Sequence, residues 1–254
     1  MDTKVLLEAL RMSVRELVRG ESHVAVAYSG GIDSSVIAAL ASEVADVKCY
    51  SAVMPGSHDA RNVRASADAE NISLDVIMVS DNLLKELVVK VTALVGHESP
   101  MAAAYTIPLI AVVNAAKEGV VLAGNGADEL FGGYAKYLTS PDPRKQMGVD
   151  LEKAVAETEG LRKYTSRCEK TMEFPFLSAR VQGLANSIAI ERKIQGTSRK
   201  VVLREVAKEL GLPSQDRPKK AAQYSSGVLR GMERLAKAEG KSIYSWIGSL
   251  IPPG

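Results

Sequence analysis

The sequence has few cysteines. Its 254 residues contain two, Cys49 and Cys168, which stand far apart and form neither a CxxC pair nor a metal-binding spacing. This pattern excludes a disulfide-stapled secreted domain. We therefore expect two reduced thiols in a cytoplasmic protein.

The sequence also lacks a long apolar run and a large excess of charge. Residues Met1 to Gly20 mix charged and apolar side chains, so they predict neither a signal peptide nor a membrane span. A formal net charge of +2, with both signs interspersed, provides no basic stripe for a phosphate-rich partner. We therefore expect no membrane contact and do not expect a nucleic acid as the partner.

What the sequence does have is a long alternation of strand and helix patterns. Short apolar runs such as Val24–Ala27 and Val120–Ala123 are typical of buried parallel strands, and the periodic segments between them are typical of helices. Over residues 23–139 this alternation predicts an α/β fold, with a parallel Rossmann-like sheet covered by helices.

The pattern changes after Tyr137. Pro141 and Pro143, with charged neighbours, predict a linker, and the segments that follow predict helices and no strand. We therefore predict two parts, an α/β region over residues 1–140 and a mostly helical lobe over residues 141–254. The lobe is expected to pack against the sheet and to complete the site.

A turn rich in glycine and serine follows the first predicted strand. It reads Ser29-Gly30-Gly31-Ile32-Asp33-Ser34-Ser35. Its glycines let the backbone approach a ligand, its serines offer hydroxyls, and the amides that start the next helix favour phosphate. A carboxylate at Asp33 beside that phosphate indicates a bridging Mg²⁺. The alternative is a polar turn that only caps a helix.

Two other segments bear on phosphate binding. The second predicted strand, over residues 47–54, ends at the edge where ligands of parallel sheets lie, so Val53 and Met54 are predicted near a nucleotide base. Met54 is equally expected as a core residue. Gly240-Lys241-Ser242 looks like the end of a Walker A loop, but Leu235 stands where that loop needs a glycine, so we interpret it as a helix start.

A second glycine-rich segment follows the fourth predicted strand. It reads Gly124-Asn125-Gly126-Ala127-Asp128-Glu129-Leu130-Phe131-Gly132-Gly133-Tyr134. The topology predicts that it meets the first loop at one sheet edge, where its opening Gly-Asn-Gly would contact the nucleotide. Asp128 and Glu129 would then join Asp33 in holding one or two Mg²⁺ ions. The alternative is a glycine-rich turn with a solvated acidic pair.

The two segments resemble known motifs. The first is similar to the PP-loop of ATP pyrophosphatases, and the second closely resembles a motif of the asparagine synthetase and β-lactam synthetase family. The resemblance covers about residues 20–230. It implies an adenine nucleotide alpha hydrolase-like fold that binds ATP and Mg²⁺, with the aspartates of the two motifs, here Asp33 and Asp128, on Mg²⁺ and pyrophosphate.

Two positions depart from the family pattern. Asn125 stands where asparagine synthetases commonly have an acidic residue, and an amide cannot act as a general base at neutral pH. Ser178 replaces the aspartate of a Pro-Phe-Leu-Asp segment, which we interpret mainly as an aromatic anchor of the core. The first departure leaves the acceptor and the nucleophile open.

A basic stretch near the end completes the resemblance. Lys200–Arg204 is similar to the family's Lys-X-X-Leu-Arg segment, and Arg217-Pro218-Lys219-Lys220 is similar to the arginine and lysine that follow it. In relatives such a lysine stabilises charge on the adenylate and pyrophosphate. Lys219 fits the spacing better than Lys220, and we predict both as catalytic candidates together with Asp33 and Asp128. The alternative is a solvated pair of lysines.

The resemblance implies an AMP-forming ligase that adenylates a carboxylate, aspartate by default, and transfers it to ammonia or another amine. Glutamine-using relatives carry a preceding glutaminase domain with a cysteine after the initiator methionine, whereas Asp2 stands here. We therefore expect free ammonia, ammonia from a separate glutaminase subunit, or a different amine. A homodimer is left open.

Two other functions stay open. A PP-loop RNA-modifying enzyme would need a basic docking face or paired catalytic cysteines, and the sequence indicates neither. An ATP-binding regulatory subunit without catalysis would be expected to have lost some of Asp33, Asp128 and Lys219. Measured pyrophosphate release would separate this second function from a ligase.

Overall fold

The computed structural model describes residues 3–96, 99–216 and 226–251. The helices are α1 Thr3–Leu17, α2 Ile32–Ser42, α3 His58–Ala69, α4 Asp81–Val95, α5 Pro100–Ala115, α6 Ala127–Phe131, α7 Pro143–Arg167, α8 Ala179–Ser187, α9 Ile190–Lys193, α10 Val201–Glu209, α11 Val228–Ala238 and α12 Ile243–Leu250. The strands are β1 His23–Ala27, β2 Asp46–Val53, β3 Leu74–Met78, β4 Val120–Leu122, β5 Thr171–Glu173, β6 Ile194–Gln195 and β7 Ser198–Arg199.

Five strands form one parallel sheet in the order β3-β2-β1-β4-β5. In β1, Ala25 lies opposite Lys48 of β2 on one side and opposite Val121 of β4 on the other. The strand order reverses between β1 and β4, and open α/β sheets form their ligand sites at such a reversal. The predicted α/β fold with a helix-covered parallel sheet is confirmed.

The sheet is buried on both faces, and β1 shows how the sequence achieves this. Side chains alternate along a strand, so Val24 and Val26 enter one core while Ala25 enters the other. Helices α1, α2, α3, α8 and α10 contribute to the first core, and α4, α5, α11 and α12 contribute to the second. A strand covered on both sides needs apolar residues at every inner position, which explains the continuous apolar runs.

The part of the chain after residue 141 also contains strands, and here the sequence prediction was wrong. Residues Thr171–Glu173 form β5, which extends the main sheet by pairing with β4, and β6 and β7 form a small antiparallel pair. Strand β5 has one buried apolar residue, Met172, so it is too short for a periodic pattern to reveal it. The division at residue 140 stays a prediction, and the sheet includes residues from both sides of it.

Three smaller predictions concern the thiols, one helix start and the membrane. Cys49, which is buried, and Cys168 are free thiols, as expected. Ser242 Oγ accepts a hydrogen bond from the Ser245 amide at 3.1 Å and caps α12, so Gly240–Ser242 is a helix start as predicted. Within the described residues, no helix combines the length and the apolar character needed to cross a membrane.

Candidate active site

A cavity of about 450 Å³ lies beside the carboxyl ends of β1 and β4, where the strand order reverses. Both glycine-rich segments contribute to its wall, through Ser29, Asp33 and Ser34 from the first and Gly124, Asn125, Gly126, Asp128 and Glu129 from the second. The prediction that the two segments meet at one sheet edge is confirmed. The cavity falls within the size range of small-molecule sites.

The first loop, residues 29–35, is held by its own hydroxyl groups. The Ser29 amide donates to Ser34 Oγ at 3.2 Å, and this hydroxyl donates to the Gly31 carbonyl oxygen at 3.0 Å. Gly30 has a φ of +73°, which a side chain would disfavour. Gly31 precedes α2 and has no capping side chain, so the first amides of this helix are suited to an anion.

Not every predicted nucleotide contact reaches the cavity wall. Ser35 is fully buried, and within the described residues its hydroxyl has no hydrogen-bond partner. Val53 and Met54 are buried, and Met54 packs close to Gly231 of α11. The part of β2 that lines the cavity consists of Tyr50, Ser51 and Ala52. Gly30 and Gly31 are also absent from the cavity wall. The nucleotide-binding roles predicted for residues 29–31, 33–35, 53–54 and 124–126 all stay predictions.

Lys200, to which the sequence analysis gave no site role, lies between the two motif aspartates. Its Nζ is 2.5 Å from each carboxylate oxygen of Asp33 and 2.7 Å from Oδ1 of Asp128. The Lys200 side chain is 2% exposed, whereas both aspartates are about one-fifth exposed. Burial lowers the pKa of Lys200, and the charge of Asp33 opposes this lowering. One buried cation therefore holds two carboxylates together.

The backbone packs closely around this cluster, which explains two of the motif glycines. A Cβ on Gly124 would lie 2.9 Å from the Cβ of Asp33, and a Cβ on Gly133 would overlap both Asp128 and Lys200. Lys200 itself has a φ of +58°, a left-handed conformation that is uncommon for a residue with a side chain. Such backbone strain is often found at functional sites.

Asp33 and Asp128 are the described groups best placed to hold a metal ion. Mg²⁺ commonly uses one or two carboxylates together with phosphate oxygens of a substrate, and this pair on the cavity wall fits that arrangement. Within the described residues, no three His, Cys, Asp or Glu side chains form a metal-binding group. Glu129 accepts a hydrogen bond from the Tyr134 hydroxyl at 2.6 Å, and burial raises its pKa. The roles predicted for Asp33, Asp128 and Glu129 as metal ligands, and for Asp33 and Asp128 as catalytic residues, stay predictions.

The other part of the cavity, which we call the tyrosine end, is lined by tyrosines, carboxylates and lysines. Its residues are Tyr105, Glu129, Tyr134, Lys136, Asp150, Lys153 and Glu157. The Tyr134 hydroxyl donates a hydrogen bond to Glu129, and the Tyr105 hydroxyl interacts with the carboxylate of Glu157. Burial, followed by the paired carboxylate, raises the pKa of both tyrosines. These hydroxyls therefore stay protonated and donate hydrogen bonds.

No local sequence signal marks the tyrosine end as a unit. Tyr105 lies on α5, Tyr134 follows α6, and Glu157 lies on α7, so the group forms only when these elements pack. Three carboxylates and two lysines face one small volume. Such a wall suits a ligand that carries both an ammonium group and an anionic group.

Two further predictions concern the later part of the chain. Lys219 and Lys220 lie outside the described residues, so their catalytic role stays a prediction. Ser178 Oγ accepts a hydrogen bond from the Val181 amide at 3.4 Å and caps α8. Phe176 is buried with its ring edge-on to Phe131, at a centroid distance of 5.9 Å. This segment is an aromatic anchor, as interpreted from the sequence.

The parallel sheet, its reversed strand order and the glycine- and serine-rich loop at that point define an α/β domain with a candidate ligand site at the carboxyl edge of its sheet. Residues 5–174 match the family model for asparagine synthase, which is more than half of the chain. The chain belongs to the asparagine synthase family.

Individual relatives agree with this assignment. The chain is 32% identical to "Putative asparagine synthetase (glutamine-hydrolyzing) 1" of Methanocaldococcus jannaschii, over 92% of this chain and 51% of that protein. It is 35% identical to asparagine synthetase (glutamine-hydrolyzing) 1 of Bacillus subtilis, over 53% of this chain and 22% of that protein. The chain therefore spans about half or less of the length of these relatives.

Among solved structures, the chain is similar to an NMN synthetase from Francisella tularensis. The TM-score is 0.47 and the identity is 12%, over 98% of this chain and 94% of that chain.

Proposed function

We propose that this domain is an ATP-dependent, AMP-forming ligase that adenylates a carboxylate and transfers the acyl group to ammonia or another amine. The observation that carries the proposal is the meeting of Asp33 and Asp128 around Lys200, on a cavity that also contains the first loop. Membership of the asparagine synthase family supports it. Aspartate is the default carboxylate.

In the first step, a carboxylate oxygen of the substrate attacks the α-phosphorus of ATP, and pyrophosphate leaves. The hydroxyls of Ser29 and Ser34 and the first amides of α2 would hold the leaving phosphates. Asp33 and Asp128 would hold Mg²⁺, which neutralises phosphate charge when it is bound. Lys200 fixes both carboxylates in one orientation, so their placement does not depend on the ligand.

In the second step, the amine nitrogen attacks the acyl carbon, AMP leaves, and the nitrogen loses a proton. Asn125 lines the cavity but cannot accept this proton, because its side chain is an amide. The carboxylates of the tyrosine end are groups in the same cavity that could accept it. The amine would be free ammonia, ammonia from a separate glutaminase subunit, or another small amine.

The rival functions find less support. Cys49 is buried and Cys168 is a separate free thiol, so the two cysteines do not form the pair that thiol-dependent RNA modification would need. We propose a cytoplasmic enzyme acting on small molecules, and a homodimer stays open.

The experiment that tests the proposal is exchange of labelled pyrophosphate into ATP, with Mg²⁺ present, across a panel of amino-acid and other carboxylates. We expect exchange with one carboxylate and AMP release when ammonia is added. Asp33→Asn should lower the exchange rate by at least about 100-fold, because the change removes a charge that faces the phosphates. Asp46→Asn is the matched control, since Asp46 is exposed and lies at the start of β2, outside the cavity wall.

The outcomes separate the functions. Exchange that depends on a carboxylate and on Asp33 supports the ligase and names its acid substrate. ATP binding without any exchange, in the presence of ammonia and the whole panel, would contradict the proposal and favour the regulatory function. Equal exchange in the Asp33 and Asp46 variants would contradict the assignment of the metal site.

A further inference from the structure

A second, smaller cavity lies outside the proposed active site. Its volume is about 50 Å³, and it is enclosed by residues of α6, α7, α8 and α9. Its walls are largely apolar and include Leu130, Met147, Leu151 and Ile190. One water molecule needs about 10–15 Å³ of cavity volume, so this cavity has room for a chemical group of several atoms.

Lys193 is one of two buried charged side chains that line this cavity, and Glu129 is the other. The residue is 5% exposed, and within the described residues it has neither a hydrogen-bond acceptor nor a carboxylate partner for its ammonium group. Burial lowers its pKa to about 8, and the charge of Arg144 adds to this lowering. An ammonium group that is largely removed from water and has no carboxylate partner among the described residues is costly, so this arrangement favours a negatively charged occupant.

Arg144 is a second cation on the same cavity. Its NH1 atom donates a hydrogen bond to the Asn186 carbonyl oxygen at 3.0 Å, and within the described residues it forms no ion pair. Glu129 also borders the cavity, but its carboxylate accepts the Tyr134 hydroxyl in the tyrosine end. The small cavity is therefore lined by two cations from different helices, Lys193 and Arg144, and by one carboxylate that is hydrogen-bonded towards the tyrosine end.

We propose that this cavity binds a small oxyanion, a phosphate or carboxylate group, between Lys193 and Arg144. Arg144 is exposed and offers a planar set of donors at the opening, while Lys193 provides a buried positive charge. The site also borders α6, since Leu130 lines it and Lys193 packs beside Gly132 at the end of that helix. The oxyanion would thus bind next to the helix that carries Asp128.

Thermal unfolding in inorganic phosphate or in acetate, at matched ionic strength, tests the site without any catalytic assay. Each variant is compared with its own value in chloride. We expect Lys193→Met and Arg144→Gln to lose at least half of the wild-type increase in Tm, because a ligand of the folded state stabilises it by an amount that grows with the ratio of ligand concentration to Kd, and each change raises the Kd. Lys237→Met, which removes an exposed lysine of α11, should keep the full increase.

Phosphate bound in the active site would raise the Tm of all these proteins alike, so only the difference between variants reports on the small cavity. An increase that is equal in the wild type and in both cavity variants overturns the proposal. Because no turnover is measured, this result does not depend on whether the ligase function is correct.

A second measurement follows Lys193 directly. Mass spectrometry gives its rate of labelling by a neutral N-hydroxysuccinimide ester near pH 8, with and without each anion. At an anion concentration of ten times its Kd, the labelling rate of Lys193 should fall about ten-fold, while the labelling rate of Lys237 should not change. Protection by phosphate alone, by acetate alone or by both supports the site and identifies the oxyanion. Protection by neither overturns it.

Discussion

The position of Lys200 between the two aspartates depends on backbone features, and a substitution can test this dependence. It has a left-handed backbone, it lies between Asp33 and Asp128, and Gly133 packs against its side chain. The absence of a side chain at Gly133 is what allows Asp128 and Lys200 to approach each other. The geometry of the cluster is therefore controlled by a residue that takes no part in the chemistry.

We predict that Gly133→Ala lowers the free energy of unfolding by about 1–3 kcal/mol, because the added methyl group would overlap Asp128 and Lys200. The same change should abolish pyrophosphate exchange. Gly160→Ala is the matched control. Gly160 lies inside α7, where an added methyl group would meet no described atom within 4 Å. This change should therefore raise the free energy of unfolding by about 0.5–1 kcal/mol. Urea denaturation measures both. Equal effects of the two changes would contradict the packing argument.

At the scale of elements, β5 is the structural link between the end of α7 and the main sheet. The Thr171 amide donates to the Gly119 carbonyl oxygen at 2.8 Å, and the Ala123 amide donates to the Glu173 carbonyl oxygen at 3.0 Å. These bonds cover the edge of β4, the strand that leads into the second motif. A short edge strand thus supports one wall of the cavity.

We predict that Met172→Ala lowers the free energy of unfolding by about 2–5 kcal/mol, because Met172 of β5 is fully buried in the second core. Met78→Ala is the matched control. It truncates a methionine of β3, at the opposite edge of the same sheet, where the side chain is 50% exposed, and it should change stability by less than about 1 kcal/mol. Similar losses at the two edges would show that β5 adds little to the core.

At the scale of the whole molecule, several groups that ionise at alkaline pH are buried. Burial raises the pKa of the Cys49 thiol to about 12, and it raises the pKa of Tyr105, Tyr134 and Tyr137 as well. The folded protein keeps these protons at a pH where the unfolded chain has begun to lose them. Stability is therefore present below the unfolded pKa values and is lost as the pH rises above them.

We predict that the free energy of unfolding falls between pH 8 and 10, and that Cys49→Ala removes about 1 kcal/mol of this fall, since an ordinary thiol ionises near pH 9. Urea denaturation of the wild type and of Cys49→Ala at several pH values measures the free energy of unfolding. Val63→Ala, a truncation in the same core without an ionisable group, should lower stability equally at each pH. A wild-type pH slope retained in Cys49→Ala would contradict the role of the thiol.

The sequence by itself determined the features that are encoded in contiguous residues. The apolar run of β1, the glycines and serines of residues 29–35 and the long motif at residues 124–134 each contain their own signal. Local backbone preference and side-chain alternation suffice to predict a parallel α/β sheet with two loops at one edge. They also predict that Asp33 and Asp128 meet.

Only the tertiary structure decided which residues far apart in the sequence come into contact. Lys200 is brought between the two aspartates across 167 residues from Asp33, Tyr105 meets Glu157 through helix packing, and β5 forms because β4 offers it a partner. None of these contacts produces a periodic pattern in the sequence, since each depends on how elements far apart in sequence pack. Lys193 becomes a candidate ligand for an oxyanion for the same reason, because its burial beside Arg144 is a property of the packed helices.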